Sequence, residues 1–214
     1  MSSEDLTNLR REYRSSTLDE LDVDLNPFVQ FDKWFQQTLN ARVPEPNAMV
    51  LATATPEGRP SVRMVLLKSF DERGFVFFTN YESRKSLELL LNAHAALLFY
   101  WQELERQVRI EGSVEKVSRK ETEEYFQTRP PESKLGAWAS KQSSVIPGRG
   151  VLEQKAADLK EKYRDQDVPA PPFWGGFRVQ PTLFEFWQGR ANRLHDRIRY
   201  TLSGGVWTIE RLSP

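Results

Sequence analysis

The stretch from Arg193 to Tyr200, Arg-Leu-His-Asp-Arg-Ile-Arg-Tyr, holds the densest set of residues able to do chemistry. Read with the two-residue period of a strand, Arg193, His195, Arg197 and Arg199 share one face, and Leu194, Ile198 and Tyr200 the other. Neighbouring like charges on one face repel. A ladder of guanidinium groups with an imidazole therefore costs stability unless something negative lies against it. A solvated basic edge strand, which blunts aggregation, fits the same spacing equally well.

Other cations fall in places that suit an anion. Arg84 and Lys85 follow Ser83, in the expected first turn of a helix, where the helix dipole already contributes positive potential. An anion held by backbone N–H groups would relieve that conflict, and two solvated side chains would also satisfy it. Arg63 and Lys68 bracket an apolar strand and lie on opposite faces or at opposite ends, so two ligands are as plausible as one. Tyr125 and Arg129 share a helix face, with Ser133 just beyond, which is the make-up of a phosphate clamp or of a surface Tyr–Arg stack. Gln107 and the run Gln142-Ser143-Ser144 offer uncharged donors that can fix a heteroaromatic ring. Taken together, these groups point to phosphorylated aromatic small molecules.

The elements that must position these groups can be read from periodicity and turn chemistry. A helix is expected from Asn26 as N-cap with Pro27 at N1, its core face carrying Phe28, Phe31, Phe35 and Leu39 with Trp34 beside them. Strands are expected over 48–54, 61–68 and 75–79, where short loops imply an antiparallel meander, then over 95–101 and 106–117. Helices are expected over 83–92, from the capping box at Ser118 towards Arg129, over 134–140 and over 151–163, with a polar loop at 141–150. The run Pro169-Ala-Pro-Pro172 reads as a stiff linker, and strands over 177–187, 193–202 and 206–212 complete the sheet. Consecutive strands favour a mainly β, α+β architecture, an antiparallel barrel or sandwich with helices outside, over a parallel nucleotide-binding sheet.

Composition narrows the chemistry further. Lys+Arg and Asp+Glu are equal at 30 each, which argues against a general nucleic-acid binder. The absence of cysteine removes thiolate nucleophiles and thiolate metal sites, and two histidines are too few for a histidine-rich metal centre. Neither a dinucleotide-binding glycine fingerprint nor a P-loop is present. No apolar run approaches a membrane span, and the first residues lack the apolar core of a signal peptide, so a cytoplasmic protein is expected.

Longer matches carry more information than any single pair. They include Arg63-Met-Val-Leu-Leu-Lys68, Phe78-Thr-Asn80 with Ser83-Arg-Lys85, Glu105-Arg-Gln-Val108 and Tyr125-Phe-Gln-Thr-Arg-Pro130. Further on come Lys141-Gln-Ser-Ser144, Phe173-Trp-Gly-Gly-Phe177, Phe186-Trp-Gln-Gly189, Asn192-Arg-Leu-His-Asp-Arg197 and Glu210-Arg-Leu-Ser-Pro214. In these stretches the chain resembles the pyridoxamine/pyridoxine 5′-phosphate oxidase family, from about residue 26 to the end. The resemblance implies an FMN-binding split β-barrel with surrounding helices, homodimeric, with FMN held non-covalently at the dimer interface. Residues 1–25, polar and with few apolar anchors, are expected to form a mobile arm or lid, and 26–214 a single domain. Within that domain the barrel core spans about 40–125 and a dimerisation and substrate segment about 173–214.

The same resemblance implies that FMN meets Arg63, Met64, Val65, Leu66, Leu67 and Lys68, with Phe78, Thr79, Arg84 and Lys85. Gln107, Gln142, Ser143, Trp187 and Arg197 complete that set. It assigns the substrate phosphate to Lys68, Tyr125, Arg129 and Ser133, and the substrate ring to Arg193, Leu194 and His195, of which Arg193 and His195 are the catalytic pair. Arg10, Arg11, Glu12 and Tyr13 would close over the pocket. The implied reaction oxidises pyridoxine 5′-phosphate or pyridoxamine 5′-phosphate to pyridoxal 5′-phosphate, with dioxygen as acceptor and hydrogen peroxide released. No metal, nucleic acid or membrane partner is implied. The rivals are a barrel of the same type that uses flavin, deazaflavin or haem for another purpose, and a non-catalytic pyridoxal phosphate carrier.

Overall fold

The structure, a computed structural model, describes residues 12–13 and 16–214. Its contacts divide into two compact units, each assembled from separate stretches of chain: 1–48, 97–110 and 181–214 in the first, 49–96 and 111–180 in the second.

In the first unit, helix α1 (Pro27–Asn40) starts where the sequence predicts, with the Asn26 side chain accepting a hydrogen bond from the Phe28 N–H. Its inner face is narrower than the apolar spacing suggests. Phe31 and Trp34 are buried, together with Gln30 and Thr38, whereas Leu39 is exposed. The reason is aromatic packing: Phe31 meets Phe99 at 5.1 Å and Trp34 meets Phe186 at 5.3 Å, both edge-on, and this sets which stripe faces inward. Thr38 is accommodated because its hydroxyl donates to the Trp34 carbonyl.

The strands are β1 (Ala48–Ala54), β2 (Pro60–Leu66), β3 (Ser69–Asp71), β4 (Gly74–Asn80), β5 (His94–Trp101), β6 (Arg106–Lys116), β7 (Trp174–Gln188), β8 (Asp196–Ser203) and β9 (Val206–Arg211). They form one sheet in the order β2-β1-β5-β6-β7-β4-β3, with β8 pairing β7 and β9 pairing β8. The meander expected over 48–79 is therefore broken, since β2 and β4 are not neighbours. The chain leaves β2 at Leu66, buries Leu67, and reaches β4 through the Lys68 N–H to Val76 carbonyl bond and the β3 hairpin. Gly74 makes that hairpin possible. It sits at φ +134°, and a Cβ there would lie 2.0 Å from the Val179 carbonyl oxygen.

In the second unit the helices are α2 (Arg84–Leu91), α3 (Arg119–Gln127), α4 (Pro131–Ala139) and α5 (Gly150–Lys162). Ser118 caps α3 as its sequence pattern predicts, accepting from the Glu121 N–H at 3.1 Å. Ser83 occupies the N-cap position of α2 but its side chain makes no capping bond; its hydroxyl faces Ser86 and Lys85 instead. Pro131 does not merely stop a helix: it opens α4, which so begins three residues before the expected 134. Arg119 fixes the proline linker by donating to the carbonyls of Ala170 and Pro171. Below it Phe126, Val168, Ala170 and Trp174 form a small buried core.

The expected strand over 193–202 starts later, at Asp196. Residues 191–193 form a single 3-10 turn in which Asn192 and Arg193 have φ values of 57° and 61°. The four-residue ladder is thus a correction: only Arg197 and Arg199 belong to β8, while Leu194 is exposed outside it. Ile198 and Tyr200 are fully buried, as the alternation predicts. No helix among the described residues is long and apolar enough to cross a membrane.

Candidate active site

A cavity of about 730 Å³ lies within the second unit. One wall is aromatic. Phe78 stacks on Tyr125 at 4.0 Å and on Trp174 at 5.5 Å, so three rings of β4, α3 and β7 lie nearly parallel. Gly176 is the β7 partner of Phe78, and a Cβ there would come within 2.9 Å of the Phe78 ring. A larger residue would push the ring off this surface. Arg129, just past the end of α3, lies 4.7 Å over Trp174.

The cavity also gathers cations. Arg63 lines it from β2, Lys68 from the bend that follows, Lys85 from the first turn of α2, and Arg129 from the α3–α4 junction. Arg63 and Lys68, whose relation the spacing left open, thus share one cavity. Lys85 is placed by uncharged partners: its ammonium donates to Gln142 Oε1 at 2.7 Å and to Thr79 Oγ1 at 3.2 Å. Burial first, and the Arg63 charge second, lower its pKa to about 8. Burial likewise pushes the Arg129 guanidinium down from its usual range, and its Nη1 is buried with no hydrogen-bond partner among the described residues. Lys85, held by uncharged partners, and Arg129, with an unsatisfied donor, fit a phosphate-bearing ring.

Arg63 is aimed by a carboxylate the sequence reading gave no role. Glu88, buried on α2, accepts from Thr53 and Ser61 at 2.5 Å each, from Arg84 at 2.8 Å and from Arg63 at 3.3 Å. Burial would raise its carboxyl, but these hydrogen bonds outweigh that and hold it down at about 2. The four-residue spacing of Arg84 and Glu88 was the available signal; nothing in the sequence links Thr53 or Ser61 to it. Trp174, which falls within one of the matching stretches, also forms part of the cavity wall.

Of the remaining candidates in this unit, Met64, Val65, Leu66, Phe78 and Thr79 line the cavity, as do Tyr125, Ser133 and Gln142. Ser133 stands in the first turn of α4. Leu67 is buried and does not line it. Arg84 and Ser143 line a second cleft of about 620 Å³, which shares Gln142, and the Arg84 N–H donates to Ser143 Oγ.

The other candidates belong to the first unit. Trp187 on β7 faces Arg197 on β8 in register. Arg197 donates to Glu185 at 2.8 Å, Arg109 pairs with the same carboxylate, and Arg199 pairs with Glu210. The negative charge that the basic strand demands is therefore largely the protein's own. His195 packs 4.7 Å from Trp187, and Tyr13 meets both rings edge-on at 5.6 and 5.7 Å. The Arg190 N–H donates to His195 Nδ1 at 3.1 Å, which leaves the neutral ring's proton on Nε2. Burial, then the Arg193 charge, lower the His195 pKa against an opposing pull from Asp196, and this lowering favours the neutral ring. Gln107 lies half-buried on β6, Glu12 is exposed, and Arg10 and Arg11 lie outside the described residues.

Residues 35–163 match the family model described as pyridoxamine 5′-phosphate oxidase. The chain belongs to that family. The match contains every cavity residue but Trp174, where a second match begins, over residues 174–214, to the pyridoxine 5′-phosphate oxidase C-terminal dimerisation region. Family members of nearly the same length are close in sequence. A pyridoxine/pyridoxamine 5′-phosphate oxidase of Nostoc punctiforme is 61% identical over 98% of both chains. One of Paraburkholderia phymatum is 59% identical over 98% of this chain and 99% of its own. Among solved structures, PhzG from Burkholderia lata, in complex with tetrahydrophenazine-1-carboxylic acid, is 34% identical with a TM-score of 0.88, covering 93% of this chain and 98% of its own. A pyridoxamine 5′-phosphate oxidase-related, FMN binding protein from Nostoc punctiforme shares the fold at 18% identity, with a TM-score of 0.71 over 89% of this chain and 99% of its own. The fold is the α+β split-barrel class expected from the sequence.

The lowered Lys85 pKa gives a prediction for any phosphate-bearing ligand of the cavity. A bound dianion raises that pKa, so binding takes up a proton above about pH 8. Affinity should be at its plateau below about pH 8. It should then fall, by at most about tenfold per pH unit, as the pH rises towards the ligand-bound pKa. Titrations across this range test it, and Lys85→Met should flatten the profile.

Proposed function

We propose that this chain oxidises pyridoxine 5′-phosphate and pyridoxamine 5′-phosphate to pyridoxal 5′-phosphate as an FMN-dependent homodimer. Dioxygen is the acceptor in this reading. The alcohol gives aldehyde and hydrogen peroxide, and the amine, with one water, gives aldehyde, ammonia and hydrogen peroxide. The observation that carries the proposal is the cavity that gathers four cations, Arg63, Lys68, Lys85 and Arg129, beside an aromatic wall. Two phosphorylated rings account for these cations. The names and lengths of the relatives support the same reading.

FMN, when bound, supplies the hydride acceptor and the reactivity towards dioxygen. Arg63 and Lys85 hold its phosphate in this proposal, with Thr79 and Gln142 fixing Lys85. Lys68, Tyr125, Arg129 and Ser133 hold the substrate phosphate and so align the carbon to be oxidised. Arg193 and His195 face the substrate ring, where a guanidinium and an Nε2–H stabilise charge that develops on the substrate oxygens. Neither is required as a base.

Purified protein should carry the visible absorption of a flavin, lose it on anaerobic addition of pyridoxine 5′-phosphate, and release peroxide on admission of air. Failure to bleach with either phosphorylated vitamer would overturn the proposal. Arg129→Ala should raise the substrate KM about 30- to 100-fold, with kcat within about threefold and flavin content unchanged. Loss of flavin from that variant would exchange the two phosphate assignments.

A further inference from the structure

Asp196 stands between two residues with proposed roles, yet its own carboxylate points elsewhere. It is largely buried and accepts three hydrogen bonds from three separate segments. The Leu18 N–H donates at 3.0 Å, Arg190 Nη1 at 3.1 Å and Arg211 Nη1 at 2.9 Å. The three donors have little else in common. Leu18 belongs to the stretch following Tyr13, Arg190 to the turn between β7 and β8, and Arg211 to the end of β9.

Each link leads back to the imidazole. Arg190, held by its side chain to Asp196, is the residue whose backbone N–H donates to His195 Nδ1. Arg211 extends the grip on the N-terminal stretch: it donates to the Leu18 carbonyl at 3.1 Å and to Glu20 at 2.6 Å, and it pairs with Asp19 at 3.5 Å. Leu18 is buried, so this stretch is tied down within the arm expected over 1–25. Tyr13, a few residues earlier, packs on His195 and Trp187. The seat of Tyr13 is closely fitted, since a Cβ on Gly189 would come within 2.8 Å of the Tyr13 Cβ.

We propose that Asp196 is the positioning residue of the site: through Arg190 it fixes the tautomer and orientation of His195, and through Leu18 and Arg211 it anchors the stretch whose Tyr13 covers that ring. The geometry explains why a carboxylate is needed. An amide has one acceptor oxygen, and two guanidinium groups and one N–H converge here on both oxygens of a charged group. This inference rests on the role proposed above for His195.

Asp196→Asn in the full-length, flavin-loaded protein tests it. Amide hydrogen exchange at Leu18 and Arg190 should speed up at least about tenfold, with exchange in α1 and β4 unchanged, because the loss is local. Turnover should fall about tenfold with the substrate KM within about twofold. On a His195→Asn background the same change should add no more than about a twofold loss, because two residues acting as one unit are non-additive. Arg190→Met cuts one link only. It should reproduce the turnover loss and expose the Arg190 amide, while Leu18 stays protected. Unchanged exchange at both amides, or a full additive loss on the His195→Asn background, would overturn the proposal. If the parent protein oxidises neither vitamer phosphate, the functional reading fails, but exchange and the nitrogen NMR signature of His195 still decide whether Asp196 holds the ring.

Discussion

Arg193→Leu is expected to lower turnover by about two to three orders of magnitude while the protein keeps its flavin. Three observations combine to give that magnitude. Arg193 sits at a φ of 61°, directly after Asn192 at 57°, and two successive non-glycine residues in the left-handed region cost stability that a mere surface turn has no reason to retain. The guanidinium is exposed and, among the described residues, has no recorded ion pair or hydrogen bond, in contrast to Arg197 and Arg199. Its charge nevertheless reaches His195, whose pKa it helps to lower. A cation held in a strained turn, unpaired and beside a neutral imidazole, is suited to meeting charge that appears only during reaction. Leucine keeps an aliphatic stem and removes the guanidinium, with its charge and its N–H donors. Flavin content by absorbance and kcat with pyridoxine 5′-phosphate are the two measurements. A variant that turns over at near the parent rate refutes the role, and one that loses its flavin shows that Arg193 serves the cofactor instead.

Much of the scaffold was legible because it rests on local signals. The Asn26-Pro27 start of α1, the Ser118 cap of α3 and the two-glycine hairpin between β8 and β9 each need only a few neighbouring residues. Gathering Arg63, Lys68, Lys85 and Arg129 into one cavity was partly legible, through the long matching stretches, although spacing alone could not place Arg63 and Lys68 together. What the sequence concealed depends on partners distant along the chain. Leu39 fits a helical stripe but loses its inner position, because Trp34 finds Phe186 across about 150 residues of chain. The basic ladder looked uncompensated because Glu185 and Glu210 come from neighbouring strands whose register is not written locally. Its first two members fall out of the strand because Asn192 and Arg193 turn left-handed, which no simple alternation predicts.

Replacing both Arg63 and Lys85 with methionine should weaken FMN by at least about a hundredfold and leave riboflavin affinity within about threefold. Each cation offers charge-assisted hydrogen bonds to a phosphate in a partly buried site, at about 1.5–3 kcal/mol apiece, and the pair gives about 3–6 kcal/mol. Riboflavin has the same ring without the phosphate, so it separates loss of the phosphate grip from damage to the cavity. Damage should be small, because Glu88 keeps Thr53, Ser61 and Arg84 when Arg63 is gone, and so is not left as an unpaired buried charge. Among the described residues Lys85 has no carboxylate partner to strand; its hydrogen-bond partners are Gln142, Thr79 and Ser83. Its lowered pKa adds to the expectation, since a bound dianion stabilises the protonated lysine that burial disfavours. Calorimetric titration of the apoprotein with both flavins reads the difference directly. Equal losses for both would mean that the two cations hold the cavity together and do not grip a phosphate. Full retention of FMN would move its phosphate to Lys68 and Arg129.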